Sequence, residues 1–312
     1  MDFVIFTLAM GALILGADFI VNQSEALALK FNIPQFVIGA TLIAFGTSFP
    51  EMASSIIANF DDKPDIAISN IIGSNIFNIS LVLATIFIIS KKNRIEKDLF
   101  AKDATWVLVS VMLFILMSID GFIGKLDAIL LIIIMVTYIM FQLNGSKELN
   151  IKRLNKLDIN KDFSWIKSVG LLIIGFFFII SGAHFVIESA SAIANSFGIS
   201  EWIIGIILIS FGTSLPELAV SISAVIKGKT DMAIGNIIGS NLANTTMVLG
   251  LAGLVKDIPI SLKDNIFDIL TMLVATIMII WITANKIYSR PIGITLLIIL
   301  TLFLSETIDK IK

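Results

Sequence analysis

The hexapeptide Gly46-Thr47-Ser48-Phe49-Pro50-Glu51 returns as Gly212-Thr213-Ser214-Leu215-Pro216-Glu217, each copy inside an apolar stretch long enough to cross a bilayer. An acidic residue at the centre of a membrane helix costs roughly 2.5 to 3.5 kcal/mol, so two of them argue for function. At helical spacing Ala44, Thr47, Ser48 and Glu51 fall at i, i+3, i+4 and i+7 on one face, and Ser210, Thr213, Ser214 and Glu217 repeat the pattern. Proline offers no N–H to the carbonyl four residues earlier, which frees a backbone oxygen at Gly46 and at Gly212. Each face therefore presents a carboxylate, two hydroxyls and carbonyl oxygen. Ser74 with Asn78, and Ser240 with Asn244, add further oxygens at i and i+4.

Oxygen ligands of mixed charge suit hard cations. Ca2+ takes about 6 to 8 of them in irregular geometry, whereas Mg2+ demands an octahedron and retains water, so Ca2+ ranks first. Transition metals recruit His or Cys, and this chain has one histidine, His184, and no cysteine. The residues point to a cation pathway.

Of the 312 residues, 57% are hydrophobic and 15% charged, with a mean hydropathy of +0.97, well outside the range of soluble domains. Apolar runs such as Phe3 to Val21, Leu171 to Ile187 and Ile266 to Ala284 match the roughly 17 to 25 residues of a spanning helix. The N-terminus carries Asp2 and no basic residue before Lys30, unlike a secretory signal, so the first segment is expected to stay as a helix. A net charge of -2 gives no basis for a nucleic-acid partner.

Shifting the sequence by 166 residues superimposes Gly16 on Gly182 and every motif through Asn78 and Asn244, without a gap. Gly39 to Ser55 against Gly205 to Ser221 gives 11 identities in 17 positions, and Asp65 to Asn78 against Asp231 to Asn244 gives 10 in 14, so one unit was duplicated. Each unit reads as five helices: residues 2–29, 34–59, 66–89, 104–118 and 125–142, then 166–197, 201–226, 232–254, 265–284 and 289–308. The expected organisation is a first half over 1–143, a cytoplasmic linker over 144–165 and a second half over 166–312. Five is odd, so the second half enters the membrane from the opposite side. Loops after odd-numbered helices hold 16 of the 22 Lys and Arg, which places those loops in the cytoplasm and both termini outside. The fold class predicted is all-α, a polytopic membrane protein of ten transmembrane helices in two inverted five-helix repeats, with the second and seventh helices broken. Paired broken helices are the best sequence-level pointer to a transporter's substrate site.

The motif Gly-Thr-Ser-x-Pro-Glu followed by Gly-Ser-Asn, present twice, resembles the two alpha-repeats of the sodium/calcium exchanger family, within the cation/calcium exchanger superfamily, over nearly the whole chain. The resemblance implies that Glu51 and Glu217 are central ligands shared by Ca2+ and Na+. It further implies that Thr47, Ser48, Thr213, Ser214, Ser74 and Ser240 serve flanking Na+ sites, with the carbonyls of Ala44 and Ser210 at the ends and the second, third, seventh and eighth helices as the core. The family commonly has Asp where this chain has Asn244, so the site carries two symmetric asparagines, Asn78 and Asn244, and two carboxylates instead of three. The Gly-Asn-x-x-Glu signature of proton-coupled relatives is absent.

Several residues have plainer roles. Gly73 and Gly239 are expected to allow close helix packing, Asp65 and Asp231 to cap the third and eighth helices, and Asp18 and His184 to be interfacial or packing residues. Asn70, Asn75, Asn236 and Asn241 stay unassigned. The basic stretch from Lys91 to Lys102 reads as a topological anchor. The linker has no acidic cluster of the kind a Ca2+-sensing domain needs. The function expected is a secondary antiporter in the cell membrane, not an enzyme, exchanging Ca2+ for Na+ by alternating access. Ca2+/H+ antiport is the alternative and a cation channel a weaker one. The transported ions are Ca2+ and Na+, with H+ or K+ open. No cofactor is expected, and the chain is expected to work as a monomer in the lipid bilayer.

Overall fold

The computed structural model describes residues 1–90, 103–153, 164–197 and 210–309, with the side chains of 145–153, 210 and 309 excepted. The basic stretch 91–102, residues 154–163 of the linker, the first part of the expected seventh helix (201–209) and the side chain of Ser210 lie outside the described residues.

Among the described residues the regular structure is helical apart from one ladder of two residues per strand. In order it forms α1 (Asp2–Phe31), α2 (Gln35–Thr47), α3 (Phe49–Phe60), α4 (Pro64–Ile89), α5 (Thr105–Met117), β1 (Phe122–Ile123), α6 (Lys125–Arg153), α7 (Trp165–Ser196), α8 (Ser210–Gly212), α9 (Leu215–Ile226), α10 (Thr230–Val255), β2 (Ile258–Pro259), α11 (Ile266–Ala284) and α12 (Arg290–Asp309). Among the described residues, seven helices are long and apolar enough to cross a membrane, or eight with α2 and α3 taken as one span. β1 and β2 pair antiparallel, Phe122 with Pro259 and Ile123 with Ile258.

Local chemistry explains the boundaries. α1 ends on Asn32 in the left-handed region (φ 53°), two residues before Pro34. α2 and α3 meet at Ser48 with a bend of 43°, and Pro50 sits in the first turn of α3, where its missing N–H is no loss. Ser48 (φ -81°, ψ 7°) and Ser214 (φ -87°, ψ 1°) take the same sparsely populated conformation at equivalent positions. α4 and α10 are each interrupted by a π-helical segment, Asn78–Leu83 and Asn244–Val248, both opening on an asparagine of the repeated motif. The helix expected to stop at residue 142 continues to Arg153, into the stretch read as linker. Asp65 and Asp231 are not caps: Lys63 and Lys229 hold the N-cap positions, and the two carboxylates lie in the first turns, where charge meets the positive end of the helix dipole.

The long helices α1 and α7 cross antiparallel. A Cβ at Gly16 would lie 2.7 Å from the Gly175 carbonyl, and one at Gly182 would lie 2.8 Å from the Leu13 nitrogen, so glycine alone permits this approach. Gly239 similarly packs against the backbone of Ala40, 2.4 Å from where its Cβ would be. The core lies where α2, α3, α4, α9 and α10 interlock. α12 covers α4 and α6 covers α10, while α7 lies over both hexapeptides with Phe176 on Gly46 and Ile187 on Gly212.

Candidate cation site

The kink at Ser48 and its counterpart at Ser214 bring the two hexapeptides together in the core. Thr47, Ser48, Glu51, Ser74, Asn78, Ser214, Glu217, Ser240 and Asn244 are buried, as is Ala44, and Thr213 is half-buried. Glu51 and Glu217 are 0% exposed, each in the first turn of the helix that follows its break, and they lie close enough to feel each other's charge.

Bonds between the two repeats hold this assembly. Ser48 donates to a carboxylate oxygen of Glu217 at 3.1 Å. Thr47 Oγ1 lies 3.5 Å from Ser240 Oγ, and its counterpart Thr213 lies 3.2 Å from Ser74 Oγ. The carbonyl of Ala44 accepts the Ser48 amide at 3.0 Å, so it is an engaged helical carbonyl with a second lone pair remaining.

What the protein leaves unpaired is more informative. Both oxygens of Glu51, one oxygen of Glu217, the hydroxyl of Ser214, and the amide nitrogens and oxygens of Asn78 and Asn244 are buried without a hydrogen-bond partner in the protein. Each such atom costs about 1 to 3 kcal/mol, and more when charged. Neither glutamate has a basic partner among the described residues, and among them no group of three or more His, Cys, Asp or Glu side chains could hold a metal. Hydroxyl, amide and carboxyl oxygens around two buried glutamates with no basic partner among the described residues can accept a hard cation that sheds its water.

Four asparagines left unassigned in the sequence also lie here. Asn236 accepts from Thr47 at 3.2 Å and donates to Ser221 at 3.2 Å. Asn70 accepts from Thr213 at 3.3 Å and donates to Ser55 at 2.9 Å and Ser54 at 3.0 Å. Asn75 and Asn241 each donate one turn back along their own helix. The available signal was their recurrence at the 166-residue offset. Asp18 is an ion-pairing residue: it accepts from Ser223 at 2.6 Å and meets Lys227 at 2.9 Å. His184 lies on the surface, 3.9 Å from Glu188.

The family model described as sodium/calcium exchanger protein matches residues 1–144 and 167–307. An uncharacterized membrane protein of Methanocaldococcus jannaschii is 39% identical over 255 residues, covering 81% of this chain and 82% of its own length. The sodium/calcium exchanger MaX1 of Methanosarcina acetivorans is 29% identical and matches over 97% of both chains. Among solved structures, the sodium-calcium exchanger NCX_Mj soaked with Na+ and Sr2+ superimposes with a TM-score of 0.84 at 32% identity, covering 97% of each chain.

Proposed function

The chain belongs to the sodium/calcium exchanger family of membrane transporters, and from that premise we propose that it exchanges Ca2+ for Na+ by alternating access, both ions competing for Glu51 and Glu217. The observation carrying this reading is the pair of fully buried carboxylates with no basic partner among the described residues, ringed by polar atoms the protein leaves unpaired. One Ca2+ or two Na+ neutralises the two carboxylates, which is why the ions exclude one another. Thr47, Ser48, Ser74, Thr213, Ser214, Ser240, Asn78 and Asn244, with the carbonyls of Ala44 and Ser210, supply the neutral oxygens.

The architecture proposed is ten spans in two inverted halves, residues 1–143 and 166–312, with both termini outside the cell membrane and one chain as the working unit. Contacts between helix ends support this parity. The loops carrying β1 and β2 must share a side, since they pair. Lys227, after the seventh span, reaches Asp18 and Asn22 in the last part of the first, and Lys256, after the eighth, reaches Asp62, after the second. α1 and its copy α7 run antiparallel, as inversion requires. Inverted halves provide two nearly equivalent arrangements that open the same site to opposite sides.

The test is 45Ca2+ uptake into proteoliposomes driven by a Na+ gradient, with parallel K+ and H+ gradients. Uptake that follows the Na+ gradient is expected; uptake driven by a pH gradient without Na+ would replace the reading with Ca2+/H+ antiport.

A further inference from the structure

We infer that Asn70 and Asn236 are positioning residues of the cation site, each holding the site threonine of the opposite repeat. Asn236 stands on α10 and is fully buried; its Oδ1 lies 3.2 Å from Thr47 Oγ1 at the α2–α3 break, while its Nδ2 donates at 3.2 Å to Ser221 of α9. Asn70 stands on α4; its Oδ1 lies 3.3 Å from Thr213 Oγ1, while its Nδ2 reaches Ser55 and Ser54 of α3 and the backbone carbonyl of Glu51 at 3.3 Å. The two sets are related by the 166-residue offset, so the arrangement was built once and kept twice.

A threonine hydroxyl has one proton and two lone pairs. At Thr47 the proton has rival acceptors on its own helix, the carbonyls of Ile43 at 3.2 Å and Ala44 at 3.3 Å. Donation to Asn236 relieves those carbonyls and leaves the hydroxyl lone pairs to an ion. It also ties the break in one repeat to the third or eighth span of the other. An amide suits this role, because one end accepts from the threonine, the other donates to a serine of its own repeat, and neither end carries charge that would compete with the glutamates. The proposal rests on the exchange reading for the ion it serves, though not for the bond itself.

The experiment pairs substitutions across the repeats. Asn236→Leu, Thr47→Val, Asn70→Leu, Thr213→Val and their doubles are compared by Na+-driven 45Ca2+ uptake and by calorimetric titration of the purified chain with Na+ and with Ca2+. Each single change is expected to raise the half-saturating Na+ concentration about 2- to 10-fold, the range of one lost hydrogen bond. In the matched doubles, Asn236→Leu with Thr47→Val and Asn70→Leu with Thr213→Val, the second change adds little. In the crossed doubles the effects multiply. Multiplication in the matched pairs, or singles that leave Na+ affinity unchanged, overturns the inference. If Asn236→Leu does not purify as a monodisperse protein, Ser221→Ala, which releases the other end of the Asn236 amide without touching a proposed ion ligand, tests the same bridge. A raised half-saturating Na+ concentration is expected, and unchanged Na+ affinity overturns the inference. A wild-type chain that titrates with this coupling yet shows no exchange would sink the transport reading and leave the positioning role standing.

Discussion

Thr47 reaches Asn236 at 3.2 Å and Thr213 reaches Asn70 at 3.3 Å; Asn236 holds Ser221, and Asn70 holds Ser55. At these central positions the duplication keeps both the residues and the bonds. The ends of the molecule differ. Asp18 and Asn22 at the end of α1 bind Lys227, and Glu25 pairs with Lys229, tying α1 to the segment between α9 and α10. The positions 166 residues away are His184, Glu188 and Ser191 on α7, and Lys227 and Lys229 correspond to Asp61 and Lys63. There His184 and Glu188 are 73% and 66% exposed and meet only loosely with each other, at 3.9 Å. If the site holds an ion reached in turn from each side, as proposed, the centre is held symmetric while the ends, facing different solutions, are free to diverge. Among the described residues, α1 is tied by ion pairs to the segment between α9 and α10, and α7 carries no counterpart of those pairs.

The largest effect should come from removing a carboxylate. Glu51→Gln and Glu217→Gln each take half the negative charge from a buried site, so Ca2+ affinity should fall by about 100-fold or more, the equivalent of about 3 kcal/mol. A symmetric centre requires the two losses to agree within a few fold in 45Ca2+ binding. Retained flux in either variant would remove that glutamate from the site, and a strongly unequal pair would break the symmetry on which the comparison rests. One inequality is already visible, since Ser48 donates to Glu217 while Ser214 and Glu51 are unpaired.

A smaller effect is expected where the amides stand. Asn78→Asp and Asn244→Asp each add a third carboxylate, and three Na+ then balance a site where two did before. The Na+ Hill slope or the pH profile should change more than Ca2+ affinity, and by similar amounts in both variants. No change in either property at Asn244 would make that position peripheral to the ions.

Why the centre was legible and the ends were not follows from the physics. Spanning helices need long apolar runs, and a bilayer penalises each acid, so α1, α7, α11 and the two glutamates stood out in the sequence. The π-helical segments at Asn78 and Asn244 have no compositional mark, since a wider turn asks only for neighbours that accept it. The pairing of β1 with β2 rests on two residues per strand, too few for any alternation to show. Asp65 was misplaced by two positions because Pro64 can occupy the first helical turn and pushes the cap back to Lys63. Asn70 and Asn236 were indistinguishable from the packing asparagines of membrane helices until their partners across the repeat were seen.

The smallest effect should lie at the tied end, and it sharpens the contrast most directly. The Asp18–Lys227 pair is partly exposed, with side chains 45% and 26% accessible, so its contribution is screened to about 0.2 to 1 kcal/mol. Breaking it with Asp18→Asn should shift the balance between the two arrangements by only about 1.4- to 5-fold. That is too little to abolish transport but enough to detect. The chain has no cysteine, so Ser24→Cys, fully buried on α1 six residues after Asp18, becomes a single reporter of the tied end. Its labelling by a charged maleimide should accelerate by that factor in the Asp18→Asn background. The corresponding change at the untied end, His184→Ala, should leave it alone. Equal labelling in all three backgrounds would mean that the ion pair decorates the end of α1 without holding it, and that the asymmetry of the two ends arises in the packing of α1 and α7 themselves.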